Sequence, residues 1–137
     1  EKNVPILGIC IGMHMMSNSS QEGNKTGLGW INASVNKMHI ASNIKPGKFK
    51  FPIPHMGWNN ISQIKPNLLL NNLDNSKFYF LHSYCLMQLD HNYSLATTYY
   101  GSNFISVFCK DNIYGVQFHP EKSHRYGMKF LENFSKV

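Results

Sequence analysis

Residues 4–9 are apolar except for the turn-permissive Gly8, with Pro5 near the start, and residues 11–17 behind them suit a helix. This pattern predicts a strand, a sharp turn and a helix. Ser, Asn and Gly crowd residues 18–24 and predict a loop, after which strand-like character resumes over 27–35. Residues 42–54 carry Pro46, Gly47 and Pro52 and predict an irregular surface excursion. From Lys77 the pattern changes to short β-rich runs at 78–86, 94–99, 105–109 and 113–118, separated by turn signals at 90–92, 101–103 and 111–112. The last two runs predict a hairpin. From Ser123 onward Met128, Leu131, Phe134 and Val137 fall along one helical face, which predicts an amphipathic helix packed on a sheet. No repeat or low-complexity block interrupts this order, and the sum is an α/β architecture with a mainly β second half.

Composition narrows the possibilities. With 137 residues, 42% hydrophobic and 15% charged, the chain is long enough for one core and too short to suggest two domains, so residues 1–137 read as one unit. No apolar run has the length needed to cross a bilayer, and the opening Glu1-Lys2-Asn3-Val4-Pro5 lacks the length and composition of a signal peptide. A cytosolic (cytoplasmic) protein is the expectation. The formal charge of +6 invites a nucleic-acid reading, but twelve lysines are scattered along the chain and Arg125 is the single arginine. A clustered basic face is missing, so no nucleic-acid partner is expected. Cys10, Cys85 and Cys109 are odd in number and form no C-x-x-C pair, which signals neither a disulfide framework nor a zinc site. Cys85 and Cys109 sit in apolar runs and read as small buried hydrophobes.

Cys10 is different. In Gly8-Ile9-Cys10-Ile11-Gly12 it lies between two glycines where a strand gives way to a helix, the pattern of a nucleophile turn. Such a turn is tight and strained, and a side chain at either flanking glycine is expected to collide with its neighbours. The sulfur then sits at the positive end of a helix, which is expected to lower the thiol pKa from its free value of about 8.5. The backbone N–H of Ile11 is placed to serve an oxyanion hole.

A second candidate centre is Gly115-Val116-Gln117-Phe118-His119-Pro120-Glu121, a strand running into a constrained end. Proline fixes its own φ and pushes the preceding residue towards extended backbone, so His119 and Glu121 can project to one side. Glu121 would then orient one ring nitrogen of His119 while the other faces Cys10, giving a nucleophile, a base and an orienting acid.

Four segments carry a family resemblance: Pro5-Ile-Leu-Gly-Ile-Cys-Ile-Gly-Met13, Pro54-His-Met-Gly-Trp-Asn59, Tyr79-Phe-Leu-His-Ser-Tyr84 and Gly115-Val-Gln-Phe-His-Pro-Glu-Lys-Ser123. Together they resemble the class I, triad-type glutamine amidotransferases, most nearly the glutaminase subunits of imidazole glycerol phosphate synthases in histidine biosynthesis. The resemblance implies a flavodoxin-like open sheet flanked by helices, with a β-rich second half. It implies a Cys10, His119 and Glu121 triad, a γ-glutamyl thioester, and no metal or organic cofactor. Gly12, His14, Glu22, His82, Ser83 and Tyr84 would help bind L-glutamine, a carboxylate such as Glu22 suiting the α-ammonium. Pro54, His55, Met56, Gly57, Trp58 and Asn59 would face a barrel-type cyclase subunit that receives the ammonia, with Trp58 exposed as an anchor.

The chain departs from the family pattern at two points. The position four after the nucleophile is glutamine in the family and His14 here; as a cation it would alter both thiol ionisation and substrate preference. Family members also begin well before the segment equivalent to Val4, so the N-terminal strands and the loop bearing the second oxyanion donor are expected upstream. A missing donor costs about a hundredfold to a thousandfold in rate, so the 137-residue chain alone is expected to be unstable or nearly inactive. Three other readings compete. The same chemistry serves synthases that amidinate bacterial surface sugars, a branch that residues 122–128 also resemble. A non-catalytic synthase-binding module is a second, and a cysteine peptidase or γ-glutamyl hydrolase a third.

Overall fold

The computed structural model describes residues 3–40 and 51–137. Strand β1, Ile6–Ile9, turns at Cys10 into helix α1, Ile11–Met15. The helix stops short of the expected residue 17 because the Ser17 hydroxyl lies 2.7 Å from the His14 carbonyl and 3.0 Å from that of Ser19, offering the backbone an alternative to the next turn. Two short strands follow inside and beside the expected loop, β2 at Ser19–Ser20 and β3 at Lys25–Thr26.

The strand expected over 27–35 is instead confined to β4, Ser34–Lys37. The backbone amides of Leu28, Gly29, Trp30 and Ile31 donate to the carbonyls of Met15, Ser17, Met16 and Met16. Those donors satisfy the end of α1 and are lost to strand pairing. Of the excursion expected at 42–54, residues 42–50, with Pro46 and Gly47, lie outside the described residues.

Strand β5, His55–Asn60, and β6, Ser62–Gln63, come next, followed by a single 3-10 turn at Leu68–Leu70. The apolar run expected as one strand over 78–86 is broken at Ser83 into β7, Lys77–His82, and β8, Tyr84–Leu86. The two halves belong to different sheets: β7 pairs antiparallel with β5, while β8 pairs with β4 and β10. At the break the His82 ring bonds forward to the Tyr84 carbonyl at 2.9 Å, and the Ser83 carbonyl accepts from the Met38 amide. Strand β9 is Ser94–Tyr99, β10 Asn103–Lys110 and β11 Ile113–Val116, and the last two form the expected hairpin.

The larger sheet runs β1-β11-β10-β8-β4-β2-β3, with β9 on β10 and β6 on β9. It is mixed, since β1 runs parallel to β11 and β2 parallel to β4 among antiparallel neighbours. Phe78, Phe80, Phe104, Phe118 and Phe130 fill the core between the two sheets and the C-terminal helix, Phe78 stacking on Phe118 at 4.0 Å. Burying each phenylalanine is worth roughly 1.5–3 kcal/mol.

Helix α2, His124–Phe134, buries Gly127, Phe130 and Asn133. Met128, expected on the buried face, is 71% exposed. The rotation follows from Gly127, whose missing Cβ lets the helix lie against the Pro120 carbonyl; a Cβ there would come within 1.8 Å of that oxygen. The buried row becomes Gly127, Phe130 and Asn133, each one residue before the expected Met128, Leu131 and Phe134, while Leu131 and Phe134 pack partly buried against the core.

Candidate active site

Cys10 stands where β1 ends. The β1–β11 ladder pairs Ile9 with Val116, and the next amide, that of Cys10, donates to the Val116 carbonyl at 2.8 Å. Its backbone then adopts φ 50 and ψ −107, a positive φ that costs a non-glycine residue about 1–3 kcal/mol. Gly8 is required as expected, because a Cβ there would lie 2.7 Å from the backbone of Gly12 and Met13. The expectation of a collision at Gly12 fails: a Cβ at that position meets nothing within 4 Å. Gly12 therefore faces open space beside the cysteine.

The half-buried thiol has two partners. Its S–H points to the Leu81 carbonyl of β7 at 3.8 Å, and the side-chain amide of Gln117 donates to the sulfur at 3.7 Å. Burial raises the thiol pKa, and the backbone amide of Ile11 opposes that shift without overcoming it; the charges of Glu22 and Glu121 raise it further. The expected lowering by the helix end is thus overturned. Helix α1 spans five residues, and the Ile11 amide at its end, although the foremost influence favouring the thiolate, does not offset the desolvation.

His119 is fixed from the other side. Its amide donates to the Tyr79 carbonyl of β7 at 2.9 Å, and its Nδ1 lies 2.6 Å from Glu121 Oε1. A carboxylate can only accept, so Nδ1 carries the proton and Nε2 is left free as a base. Pro120–Lys122 forms one 3-10 turn, with Pro120 buried, and this short turn brings Glu121 back under the ring. Ser123 clamps the arrangement, its hydroxyl donating to the His119 carbonyl at 2.6 Å and accepting from the Tyr79 amide at 2.9 Å. Among the described residues no hydrogen bond joins Cys10 to His119. Both are anchored on β7, to Leu81 and Tyr79, whose carbonyls sit about 7 Å apart on one edge of the strand.

His14 lies one turn along α1 and is 3% exposed. Its Nε2 is 2.8 Å from Gln117 Oε1, and its Nδ1 is 3.7 Å from Glu22 Oε2 without a hydrogen-bond partner. Burial lowers its pKa below the ordinary histidine value, against the partial support of Gln117 and Glu22. The ring is neutral near pH 7, so the expected cation at this position is not formed. Ile11, His14, Ser20, Glu22 and Lys25 line a cavity of about 310 Å³ next to the cysteine turn. A larger cleft of about 620 Å³, between residues 32–36 and 87–90, lies away from the cysteine.

The other expected site residues separate into two groups. The side chain of His82 is buried, with Nε2 2.9 Å from His55 Nδ1 and Nδ1 on the Tyr84 carbonyl, so both ring nitrogens are occupied. Ser83 and Tyr84 beside it are half-buried. His55, expected on a partner-facing surface, is 2% exposed and stacks between Phe80 and Tyr100 at 4.7 and 3.9 Å. Alternation along β5 turns Met56 and Trp58 outward instead, Met56 opposite Leu81 and Trp58 opposite Tyr79. Pro54 is exposed at the start of this segment, and Gly57 and Asn59 are half-buried. Trp58 is 46% exposed and lies flat on His124 at 5.4 Å. Sequence reasoning passed over the clamp of Ser123 and the amide of Gln117. Both stand inside the quoted segment 115–123, but nothing in the pattern marks which way their side chains point.

Comparison with known proteins agrees with this geometry. A family model described as glutamine amidotransferase class-I matches residues 1–137. The chain is 51% identical over 137 residues to the imidazole glycerol phosphate synthase subunit HisH 2 of Methanococcus maripaludis, covering 99% of this chain and 64% of that protein. It is 44% identical to subunit HisH of Leptospira borgpetersenii, with 99% and 65% covered. Against subunit HisH of Bdellovibrio bacteriovorus it is 46% identical over 135 residues, with 98% and 64% covered. The chain thus spans just under two thirds of the length of these relatives. Among solved structures, a putative GMP synthase subunit from Thermoplasma acidophilum superposes with a TM-score of 0.66 at 24% identity, covering 97% of this chain and 56% of that one. A glutamine amidotransferase from Thermotoga maritima gives 0.62 at 18%, covering 98% and 48%. At these identities the two structures show the shared fold.

Proposed function

The chain belongs to the class I glutamine amidotransferase family, and from that premise we propose that it carries the thiol, base and acid of a cytoplasmic glutaminase that supplies ammonia to the cyclase subunit of an imidazole glycerol phosphate synthase. The carrying observation is the convergence on β7 of a strained cysteine and a histidine whose Nδ1 is 2.6 Å from Glu121. In this reading His119 Nε2 takes the Cys10 proton as the sulfur attacks the side-chain amide carbon of glutamine. The carbonyl oxygen becomes an oxyanion facing the Ile11 amide, and the imidazolium returns its proton to the departing nitrogen, which leaves as ammonia. Water then attacks the γ-glutamyl thioester, His119 taking its proton, and glutamate leaves with the thiol restored.

The cavity beside α1 suits the amino-acid end of the substrate, with Glu22 towards the α-ammonium and open space at Gly12 for its passage. The buried His82 acts by shaping the turn that presents Ser83 and Tyr84. Met56, Trp58 and Leu81, all exposed on the outer face of the β5–β7 pair, form an apolar surface suited to the cyclase.

A glutamine-mimicking electrophile, 6-diazo-5-oxo-L-norleucine, tests the assignment. Peptide mapping is expected to find the adduct on Cys10, with labelling slowed by His119→Ala. An unlabelled Cys10, or equal labelling of Cys85 and Cys109, refutes it. Ammonia release from glutamine in the presence of the cyclase, with no peptide cleavage, separates it from a peptidase.

A further inference from the structure

The Cys10 thiol rests against an acceptor. Its S–H donates to the Leu81 carbonyl at 3.8 Å, and that bond ends when the proton leaves, since a thiolate and a carbonyl oxygen can both only accept. The carboxylates of Glu22 and Glu121 further disfavour negative charge on the sulfur, and His14 on α1 is neutral near pH 7 and does not offset them. Among the described residues the donors facing the sulfur are the Ile11 amide and the side-chain amide of Gln117, whose Nε2 is 3.7 Å from Sγ. Gln117, which directly follows β11, is fully buried, so water does not compete for its N–H groups. Its orientation is determined. With the S–H spent on Leu81, the sulfur faces Gln117 as an acceptor and Nε2 must point to it, which leaves Oε1 to accept from His14 Nε2 at 2.8 Å. A carboxamide turned end for end would set its oxygen against the sulfur.

We propose that Gln117 is a catalytic residue of this site: its buried carboxamide, held in place by His14, donates through Nε2 to the Cys10 sulfur whenever that atom carries negative charge. The proposal rests on the glutaminase reading above and deepens it. The sulfur is anionic first when His119 Nε2 has taken the thiol proton, before the attack on the amide carbon. It is anionic again when the C–S bond of the γ-glutamyl thioester breaks and the electron pair returns to sulfur, before the imidazolium gives the proton back. At both points the Leu81 carbonyl repels the sulfur and the Gln117 donor holds it. In the thioester between them the sulfur bears no charge and accepts weakly, so the bond strengthens as charge develops. A neutral donor suits the place, because a buried ammonium or guanidinium would need a partner carboxylate.

Alkylation by iodoacetamide across a pH series, with the Cys10 adduct quantified by peptide mapping, reads the thiolate directly. Gln117→Met keeps the length of the side chain without its N–H. It is expected to raise the midpoint of the Cys10 profile by about one pH unit and to slow alkylation at neutral pH about tenfold, as for loss of a hydrogen bond to a charged group. The plateau rate at high pH is expected to hold. A role confined to packing would lower the plateau and leave the midpoint in place, so that pattern, like an unchanged profile, overturns the proposal. L-glutamine is expected to protect Cys10 of the unmodified chain from the same reagent. Protection together with an unmoved midpoint in Gln117→Met leaves the glutaminase reading standing without this proposal, whereas absence of protection overturns both. Carbon-detected NMR of the unmodified chain does not depend on the methionine variant folding. The carboxamide carbon of Gln117 is expected to shift with the Cys10 midpoint, and a signal indifferent to ionisation of the thiol overturns the proposal.

Discussion

Acid should unfold this chain before its carboxylates are protonated, because of His55 and His82. Their bonds form one directed line: His82 Nδ1–H donates to the Tyr84 carbonyl, His55 Nδ1–H donates to His82 Nε2, and the Asn59 amide lies 3.3 Å from His55 Nε2 as its donor. Neither ring can take a second proton without breaking a bond in this line. Burial pushes the pKa of His55 down from 6.5 to about 4. For His82 burial is again the largest cause, aided by the charges of neighbouring histidines and opposed by the Tyr84 carbonyl, and brings it to about 3. Both pKa values are lower in the folded state than in the unfolded one. Their contribution is therefore complete above pH 6.5 and is lost as pH falls from there through about 4 and about 3. Between pH 6.5 and 4 the unfolded chain gains up to two protons that the folded chain refuses. At about 1.4 kcal/mol per proton per pH unit the loss approaches about 7 kcal/mol, comparable to the whole stability of an ordinary domain. Urea unfolding followed by fluorescence between pH 8 and 4 measures it. The midpoint is expected to fall steeply below pH 6.5, and a flat midpoint down to pH 5 refutes the reasoning.

Two further predictions concern glycines around the site. Gly8→Ala forces a Cβ to 2.7 Å from backbone that cannot yield cheaply and should cost about 3 kcal/mol or more, at or above the top of the roughly 1–3 kcal/mol of ordinary overpacking; Gly12→Ala, with nothing within 4 Å, should leave thermal unfolding unchanged or raise stability by up to about 1 kcal/mol while impairing glutamine protection of Cys10. Equal stability of the two variants would count against the strand-to-helix geometry. Gly127→Ala drives a Cβ into the Pro120 carbonyl and should displace the turn bearing Glu121, so the loss appears both in the unfolding midpoint and as slower labelling of Cys10 by the glutamine mimic; a loss in stability alone would separate α2 from the site.

Much of this was legible in the chain because local signals agreed with tertiary ones. Residues 94–99 are a β-rich run bounded by turn signals and form a strand with those ends, and Gly8 was identifiable because a strand-to-helix turn leaves no room for a side chain. The failures share a different cause. The run 78–86 is rich in aromatic and apolar residues on both sides of His82-Ser83 and holds no Gly or Pro, so no turn signal marks the change of sheet at Ser83. His55 reads as a surface residue until its partner, 27 positions later, is placed against it. The thiol of Cys10 looked activated because a helix end is visible in sequence, whereas the desolvation that outweighs it depends on neighbours from distant segments.

The gap between thiol and imidazole has a structural logic. Along β7 the even positions bond to β5, Phe80 opposite Gly57 and His82 opposite His55, so Tyr79 and Leu81 direct their backbone groups to the opposite edge. There Tyr79 holds His119 through backbone bonds in both directions, one of them relayed by Ser123, while Leu81 receives the Cys10 thiol. The side chains of those same two residues stand beside Trp58 and Met56 on the outer face. One strand thus carries the resting place of the Cys10 thiol, the mount of His119 and half of an exposed apolar surface. A small displacement of β7 must then alter the thiol's bond to Leu81 and the seat of His119 together. A contact on that outer face therefore reaches the setting of Cys10 and His119 through backbone groups, without touching the side chains of Cys10, His119 or Glu121.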